Sequence, residues 1–395
     1  MKTRKGYKTY PLTVAQKFHF YYADYCPGKE ILNVGTSLTI EFELNIDELR
    51  KAIYKAYERC ESMRARLVYD RKEEEWYQYI VEKEDREIEY VDFTGKTMEE
   101  AEAEMTAWTR VPFDQEDAPM NKVVIIKTPD GFEGMFLVGD HRFLDAQSLI
   151  GFMKDVIELY CNANFEGIPY PADMRSYIEQ VEKDLAYEAG SKAQARDRAY
   201  FHKLIEESEP IYNGIEGPKK LEEARAATGN PNLRAAPTGS DSFAAAIDVF
   251  HLEEEPTRRL MTFCEQQHIS LQCLLVMGIR TYLQKINTCD DVSMQIAYAR
   301  RATGGTRIHC FPFRTVIPED KTFLEGIFEI RDKQNEVFRY VNFNPGEYLG
   351  YRSQLYKLPR GMGYETVSLT YQPATLREKG LTDLGGIRYK TKRYC

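Results

Sequence analysis

The stretch GDHRFLDAQS, residues 139–148, joins two segments with different hydrophobic patterns. The apolar run GMFLV before it is typical of a β-strand, and LIGFMKDVIELY after it places apolar residues at helical spacing. A histidine, His141, and an aspartate, Asp145, therefore lie on a short connection from a strand into a helix. Whether they carry chemistry or only shape the connection depends on the rest of the chain.

Strand and helix patterns continue on the N-terminal side of this connection. Thr13 and Gln16 have the spacing of a capping box, which predicts that a helix begins there. Further elements are predicted in this order: the strand TSLTIEFEL, the helix NIDELRKAIYKAYERCESM, the strands RARLVYD and EWYQYIV, the helix MEEAEAEMTAWTRV, and the strands NKVVIIKT and GMFLVGD. The last two form a hairpin around PDG. Together they predict an N-terminal α/β lobe over residues 1–172.

The C-terminal part repeats this organisation after a crossing segment. Residues 173–242 are predicted to be helical and charged at first, then irregular and mobile, because the later part is rich in Gly, Pro, Asn, Ala and Ser. The C-terminal lobe is predicted to span residues 243–395. Its elements are, in order, the strand SFAAAIDVFHL, the helices EEPTRRLMTFCEQQ and SLQCLLVMGIRTYLQKI, the strands DVSMQIAYAR and FPFRTVIP, the helix FLEGIFEIRDKQNEVFRYV and the strand TVSLTYQ. The predicted fold class is α/β, with two similar sandwich lobes.

Composition argues against several function classes. The formal net charge is −9 and the basic residues are scattered among acidic ones, so we expect no nucleic-acid partner. No window approaches the roughly 20 apolar residues of a membrane span, and we expect no membrane contact and a cytoplasmic location.

Cysteine usage predicts reduced thiols and no metal site. The eight cysteines are widely separated, and none has CxxC or zinc-ligand spacing. Cys310 follows His309, but neighbouring strand residues point to opposite faces, which argues against a catalytic pair.

An HxxxD pattern alone is weak evidence, so its context carries the assignment. Residues 111–160 resemble the stretch that leads into the HHxxxDG motif of nonribosomal peptide synthetase condensation domains. Their sequence is VPFDQEDAPMNKVVIIKTPDGFEGMFLVGDHRFLDAQSLIGFMKDVIELY. YPLTVAQ is similar to the opening motif of that family, and Arg59, Glu61 and Arg64 match residues that recur in its helix and following strand. The resemblance covers nearly the whole chain.

This resemblance implies two chloramphenicol-acetyltransferase-like lobes arranged as a V, with a central tunnel and the motif histidine midway. The implied chemistry is transfer of an acyl or aminoacyl group from a pantetheine thioester to an amine or hydroxyl. The implied partners are an acyl or peptidyl carrier protein, or acyl-CoA, and a small acceptor. The phosphopantetheine thioester is a substrate arm, and no bound cofactor or metal is expected.

The motif residues have the following implied roles. His141 corresponds to the second histidine and is the candidate general base or nucleophile-positioning residue. Asp145 corresponds to the aspartate, for which the resemblance suggests a structural pair with Arg64; a simple helix cap is the alternative. Asp140 replaces the first histidine and Ala146 the glycine.

Both replacements have expected consequences. The Asp140 carboxylate would raise the pKa of His141 if it approached the ring, although adjacent strand residues usually face apart. Ala146 adds a methyl group and disfavours positive φ, which would narrow the tunnel or alter the loop.

Further candidate site residues follow from the resemblance. Asp140, Ala146, Ser148, Tyr371 and Gln372 are candidates for lining the tunnel, with Tyr371 and Gln372 donating to an acyl carbonyl. The alternatives are packing or capping for Ser148 and a half-buried sheet pair for the other two. Arg300 and Arg301 are candidates for contacting the phosphopantetheine phosphate, against the alternative that they are solvated. The segment TDLGGIRYK is similar to a phosphopantetheine attachment site, but Arg388 replaces the required serine.

Two function hypotheses remain. The first is a condensation-like acyltransferase that uses His141. The second is a catalytically silent relative that binds a carrier protein or recruits a partner enzyme, which the altered motif favours.

Overall fold

The structure is a computed structural model that describes residues 3–24, 26, 28–239, 245–299, 305–306, 308–371 and 389–394. The helices within these ranges are α1 (Val14–Asp24), α2 (Ile46–Arg59), α3 (Met98–Trp108), α4 (Ala146–Asn164), α5 (Tyr177–Glu188), α6 (Lys192–Glu206), α7 (Lys219–Thr228), α8 (Glu254–Gln266), α9 (Leu271–Asn287), α10 (Phe323–Val337) and α11 (Pro345–Leu355). The strands are β1 (Thr3–Arg4), β2 (Tyr7–Lys8), β3 (Tyr10–Pro11), β4 (Asn33–Ile40), β5 (Ala65–Asp70), β6 (Glu75–Ile80), β7 (Glu89–Asp92), β8 (Asn121–Lys127), β9 (Glu133–Asp140), β10 (Ala236–Pro237), β11 (Asp291–Ala299), β12 (Ile308–Val316), β13 (Met362–Gly363), β14 (Ser368–Leu369) and β15 (Tyr389–Arg393). The α/β fold class is confirmed.

The chain divides into two compact units. The first comprises Met1–Ala189, Arg300–Ile308 and Pro373–Cys395, and the second comprises Gly190–Ala299 and His309–Gln372. Within the segment predicted as a crossing, α5 therefore belongs to the first unit, while α6 and α7 belong to the second. The V arrangement of lobes and its tunnel stay a prediction.

The main sheet of the first unit has the strand order β15-β4-β9-β8-β7. Strand β7 is parallel to β8, whereas the other neighbours pair antiparallel. Alternate residues of β8 and β9 face opposite sides, because side chains on a strand alternate. Ile125 and Leu137 join the core cluster built with α2 and α4, while Phe136 and Val138 join the cluster built with α3.

Strand β9 is the element that places the candidate site. All eight of its residues are buried, because helices cover both faces of the sheet at this strand. The strand ends at Asp140, and the next helix, α4, begins at Ala146. The intervening connection thus leaves a rigid central strand and enters a helix whose own buried face packs in the same core.

The second unit has its own sheet and its own core. Its sheet has the order β12-β11-β14, with β11 and β14 parallel. The core contains a stack of aromatic rings in which Phe201 lies between Phe311 at 4.7 Å and Phe343 at 5.3 Å, measured between centroids. Helices α9 and α10 contribute their apolar faces to this core.

Several sequence-based expectations differ from the structure. The predicted strand SFAAAIDVFHL is wrong in its described part, because residues 245–252 are irregular and exposed, Phe250 by 89%. Its alternating pattern has no partner strand in the described part of the chain, and an unpaired strand is not stable. The late strand is only Ser368–Leu369, and the irregular region after residue 207 contains α7, whose buried Leu221 joins a small core with Tyr212.

Candidate active site

The connection that carries His141 is a tight, hydrogen-bonded turn. The backbone N–H of His141 donates to Leu32 O at 2.7 Å, and the N–H groups of Phe143 and Leu144 both donate to Asp140 O at 3.0 Å. Thr306 closes the turn from elsewhere in the sequence: its N–H donates to Phe143 O at 3.1 Å, and its hydroxyl donates to the carbonyl of His141. The backbone position of His141 is therefore fixed on both sides.

The His141 ring lies against a second histidine. Its imidazole stacks on that of His19, on α1, with ring centroids 4.3 Å apart and an interplanar angle of 26°. The Nδ1 atom of His141 is buried and has no hydrogen-bond partner within the described ranges. The residue as a whole is half-buried.

Burial decides the protonation state of His141. Desolvation lowers its pKa below the usual 6.5, while its own backbone, Asp145 and Asp140 oppose this shift and Arg393 adds to it. Because the net direction is downward, the imidazole is unprotonated at neutral pH, which is the state a general base requires.

Arg142 holds the carboxylate of Asp140. Nε of Arg142 donates to Oδ1 of Asp140 at 2.8 Å and Nη2 to Oδ2 at 2.6 Å, with the backbone N–H of Arg142 also donating to Oδ1 at 2.8 Å. Arg142 also donates to Phe113 O at 2.7 Å and lies over the ring of Phe20. The position of the family's first histidine is thus occupied by one half of a buried ion pair.

Asp145 caps α4. Its Oδ1 accepts hydrogen bonds from the backbone N–H of Ser148 at 2.8 Å and from the Ser148 hydroxyl at 2.7 Å. The capping alternative is therefore confirmed for Asp145. The expected pair with Arg64 is wrong, because the Arg64 guanidinium donates to the backbone carbonyls of Tyr57, Glu58, Val81 and Glu82.

Arg59, which ends α2, and Glu61, which follows it, connect α2 to other helices of the first unit. Nε of Arg59 donates to Oδ2 of Asp155, on α4, at 3.0 Å, and its Nη2 donates to Oδ1 at 3.1 Å. Glu61 accepts from the hydroxyl of Ser176 and from the N–H of Ile178, both at 2.9 Å, at the start of α5. Arg59 and Glu61 therefore tie the end of α2 to α4 and α5.

The remaining predicted site residues have separate locations. Ala146 is the first residue of α4 and does not have a positive φ, so the extra methyl group causes no backbone strain. Tyr371 is half-buried and lies two residues beyond β14. Gln372, Arg300, Arg301 and Arg388 lie outside the described residues.

A cavity adjoins the capped end of α4. Its volume is about 270 Å³, and Ser148 is part of its wall. It is lined by Cys60, Gln147, Ser148, Gly151, Phe152, Lys154, Asp155, Glu158, Ala172, Met174 and Arg175. All these residues belong to the first compact unit. Whether Ser148 also faces a tunnel stays a prediction.

Sequence reasoning missed His19 and Thr306. Neither belongs to a local pattern, because each meets the connection only after the chain has folded. The capping-box spacing at Thr13 and Gln16 indicated the helix that carries His19, but not what its side chains contact.

Two observations concern other kinds of site. Within the described ranges, no group of three or more His, Cys, Asp or Glu side chains is placed to hold a metal ion. None of the described helices combines the length and apolar character that crossing a membrane requires.

Comparison with known proteins assigns the family. A condensation domain family model matches residues 7–356. The chain is 22% identical to a plipastatin synthase of Bacillus subtilis (strain 168) over 87% of its length, and 24% identical to bacitracin synthase 2 of Bacillus licheniformis over 85%. These matches span only 13% and 12% of the two relatives.

Solved condensation domains share the fold. The first condensation domain of the calcium-dependent antibiotic synthetase, in complex with a substrate analogue, matches with a TM-score of 0.75 at 17% identity, over 98% of this chain and 84% of that one. A variant of the starter condensation domain of rhizomide synthetase, in complex with C8-CoA, matches with the same TM-score at 17% identity, over 98% and 82%. The chain belongs to the condensation domain family.

Proposed function

We propose that this chain transfers an acyl or aminoacyl group from a pantetheine thioester to an amine or hydroxyl acceptor, with His141 as general base. The observation that carries the proposal is the state of the His141 imidazole. Burial lowers its pKa, and its Nδ1 has no hydrogen-bond partner in the described structure. An unprotonated, half-buried ring on a rigid connection is suited to accept a proton at neutral pH.

The proposed reaction needs one proton carrier. The acceptor nitrogen or oxygen attacks the thioester carbonyl carbon, and the proton of the acceptor passes to the imidazole. The tetrahedral intermediate then collapses with cleavage of the carbon–sulfur bond, and the imidazolium returns the proton to the departing thiolate. A positioned base of this kind typically contributes about 10²- to 10⁴-fold to the rate.

The proposed donor is carried on phosphopantetheine, either on a carrier protein or in coenzyme A. The family assignment supports this choice, as does the C8-CoA complex of the rhizomide synthetase starter condensation domain. No metal ion takes part in the proposed steps. The contacts of Arg300, Arg301, Tyr371 and Gln372 with this arm remain part of the proposal.

The second candidate function is a silent domain that binds a carrier protein or recruits a partner enzyme. One observation favours it: the first motif position holds Asp140, which is buried and paired with Arg142. Asp140 replaces the first histidine of the family motif, so the site lacks the imidazole that the family has at this position.

The deciding experiment measures product formation from a panel of acyl-pantetheine, acyl-CoA and carrier-bound donors with amine and hydroxyl acceptors. Wild type is compared with His141→Ala and with His251→Ala, a control that removes an exposed histidine of the second unit. We expect product with wild type and the control, and a loss of about 10²-fold or more with His141→Ala. Turnover by none of the proteins, together with carrier-protein binding by all of them, would support the silent alternative.

A further inference from the structure

We propose that His19 is a positioning residue for His141, and that stacking of the two rings orients the imidazole. This inference rests on the proposed function, because it assigns a role in the same reaction. It concerns a residue on α1, outside the HxxxD pattern. The evidence is the ring contact, the environment of Nδ1 and the way in which α1 is anchored.

The first observation is the geometry of the two rings. Their centroids are 4.3 Å apart with an interplanar angle of 26°, which is a stacked arrangement in direct contact. Aromatic rings at this separation attract one another beyond the area that they bury. The stack therefore restricts rotation of the His141 ring about its side-chain bonds.

The second observation is that, among the described residues, no group is hydrogen-bonded to Nδ1 of His141 so as to fix the ring. Catalytic histidines are commonly oriented by a hydrogen bond from one ring nitrogen to a carbonyl or carboxylate. Nδ1 of His141 has no such partner within the described residues. The carbonyl of His141 itself accepts a hydrogen bond from Thr306, and the two nearby carboxylates, Asp140 and Asp145, are held by Arg142 and Ser148.

The third observation is that α1 is firmly anchored. The Thr13 N–H donates to Oε1 of Gln16 at 2.9 Å, which forms one half of the capping box. Nε2 of Gln16 lies 3.1 Å from the hydroxyl of Tyr177, and that hydroxyl donates to Oε1 of Gln78 at 2.6 Å. Gln16, Gln78 and Tyr177 are all buried, so the helix that presents His19 is fixed by a buried network.

The charged groups around His141 act on its pKa in opposite directions. Asp140 and Asp145 on the connection raise the pKa of His141, and Arg393 on β15 lowers it. Placing a proton on both stacked rings would bring two like charges into contact, which is unfavourable. His19 is therefore assigned an orienting role, which does not require it to gain or lose a proton during turnover.

The test compares two substitutions that separate stacking from basicity. His19→Phe keeps an aromatic ring and removes the titratable group, whereas His19→Leu removes the ring. We expect His19→Phe to retain kcat within about threefold, and His19→Leu to lower kcat by about 10- to 100-fold with little change in KM, because misplacing a catalytic group slows the chemical step. His202→Leu, which removes a histidine stacked on Tyr351 in the second unit, is the matched control and should leave kcat unchanged.

A measurement without substrate keeps this inference separate from the proposed function. The NMR signals of the His141 ring protons should carry a ring-current shift in wild type and in His19→Phe that is lost in His19→Leu. If no variant shows turnover but these shifts behave as expected, the proposed function fails while the stack is established. Wild-type kcat and unchanged His141 signals in His19→Leu would overturn the inference, and so would an equal loss of kcat in His19→Phe and His19→Leu.

Discussion

The guanidinium of Arg142 forms a bidentate ion pair with the carboxylate of Asp140, two residues earlier: Nε donates to Oδ1 at 2.8 Å and Nη2 donates to Oδ2 at 2.6 Å. Both side chains are buried, with exposed side-chain fractions of 7% for Arg142 and 1% for Asp140. Asp140 and Arg142 flank His141 in the sequence. The replacement of the motif histidine by Asp140 therefore does not leave an unpaired charge next to His141. Asp140, which stands where the family has its first motif histidine, has a structural role through this ion pair.

Breaking this pair should destabilise the fold. We expect Asp140→Ala to lower the free energy of unfolding by about 3–5 kcal/mol, because it leaves the Arg142 charge buried without its partner. Asp140→His, which restores the first histidine of the family motif, should also be destabilised for the same reason. Urea denaturation measures both.

An exposed ion pair provides the control for that comparison. Lys285 contacts Glu319 at 2.9 Å with both side chains largely exposed. Lys285→Ala should change the free energy of unfolding by less than about 1 kcal/mol. Equal effects of Asp140→Ala and Lys285→Ala would contradict the buried-pair interpretation.

The pH dependence of activity should follow His141. Because its pKa is lowered below 6.5, kcat/KM should rise as pH increases, reach half of its maximum below pH 6.5 and be level around neutrality. Rates measured from about pH 5 to pH 8 at constant ionic strength check this. A midpoint well above 6.5 would show that the carboxylates outweigh burial.

Stability should follow the same residue in a defined direction. A histidine whose pKa is lower in the folded state binds protons more readily when unfolded, so its protonation favours unfolding. Relative to His141→Gln, wild type should therefore lose stability as pH falls below 6.5, the usual pKa of the group. Thermal unfolding of the two proteins at about pH 5 and pH 7.5 gives the comparison, and a pH-independent difference would refute it.

The role of Asp145 can be separated into charge and capping. Asp145→Ala should cost about 0.5–2 kcal/mol of unfolding free energy, because the first turn of α4 loses the acceptor for the Ser148 N–H. Asp145→Asn keeps a capping oxygen and should cost clearly less. Denaturant midpoints of the two variants decide, and an Asn variant as unstable as the Ala variant would point to a need for the negative charge.

Arg59 should stabilise the first unit through Asp155. Burial raises the pKa of Asp155 even with Arg59 beside it, so removal of the guanidinium leaves a costly buried carboxylate. Arg59→Met should destabilise by about 3–5 kcal/mol at neutral pH. The loss should be smaller at about pH 4, where the unpaired carboxyl group can take up a proton, and urea denaturation at both values tests this. Nη2 of Arg59 also donates to the backbone carbonyls of Pro171 and Ala172, and an equal loss at both pH values would indicate that these contacts dominate.

Asp117 should contribute to the loss of stability in acid. Nε of Arg4 donates to its Oδ1 at 3.1 Å and the hydroxyl of Tyr79 donates to the same oxygen at 2.8 Å. These contacts, with Arg4 the main cause, lower the pKa of Asp117 from 3.8 to about 2. The stabilisation is present above about pH 4 and is lost as pH falls towards 2, because the depressed carboxyl then becomes protonated.

The substitution Asp117→Asn isolates this charge. Asp117 has a φ of 62°, a left-handed conformation that asparagine also tolerates. We expect a loss of about 1 kcal/mol at pH 7, a value reduced because Arg4 is partly exposed, and no difference from wild type near pH 2. A difference that persists at about pH 2 would assign the effect to packing instead of charge.

Elements with a local signal were predicted correctly. The capping box at Thr13 and Gln16 opens α1, and the hairpin of β8 and β9 follows the two apolar runs on either side of PDG. These signals lie within a few residues of the structure that they specify. Helix α11 had a comparable signal, with Asn344 as its cap and Pro345 in its first turn, but it was not predicted.

Elements that depend on distant partners were missed. Strand β15 reads YKTKR, is exposed along its length and has no apolar alternation. It forms because β4 offers an edge on which its backbone can pair, from Tyr389 with Ile40 to Arg393 with Thr36. Conversely, residues 245–252 alternate as a strand does, but lack such an edge in the described structure.

The sequence by itself determined the family, the α/β class and His141 as the central candidate for a catalytic residue. The motif sequence and the spacing of apolar residues are both properties of residues close together in the chain. Only the tertiary structure decided what surrounds that histidine: the His19 stack, the Thr306 hydrogen bond and the capture of Asp140 by Arg142. The pKa and orientation of an imidazole depend on desolvation and on ring contacts. Folding alone supplies both, by bringing α1, the connection after β9 and residues 305–306 together.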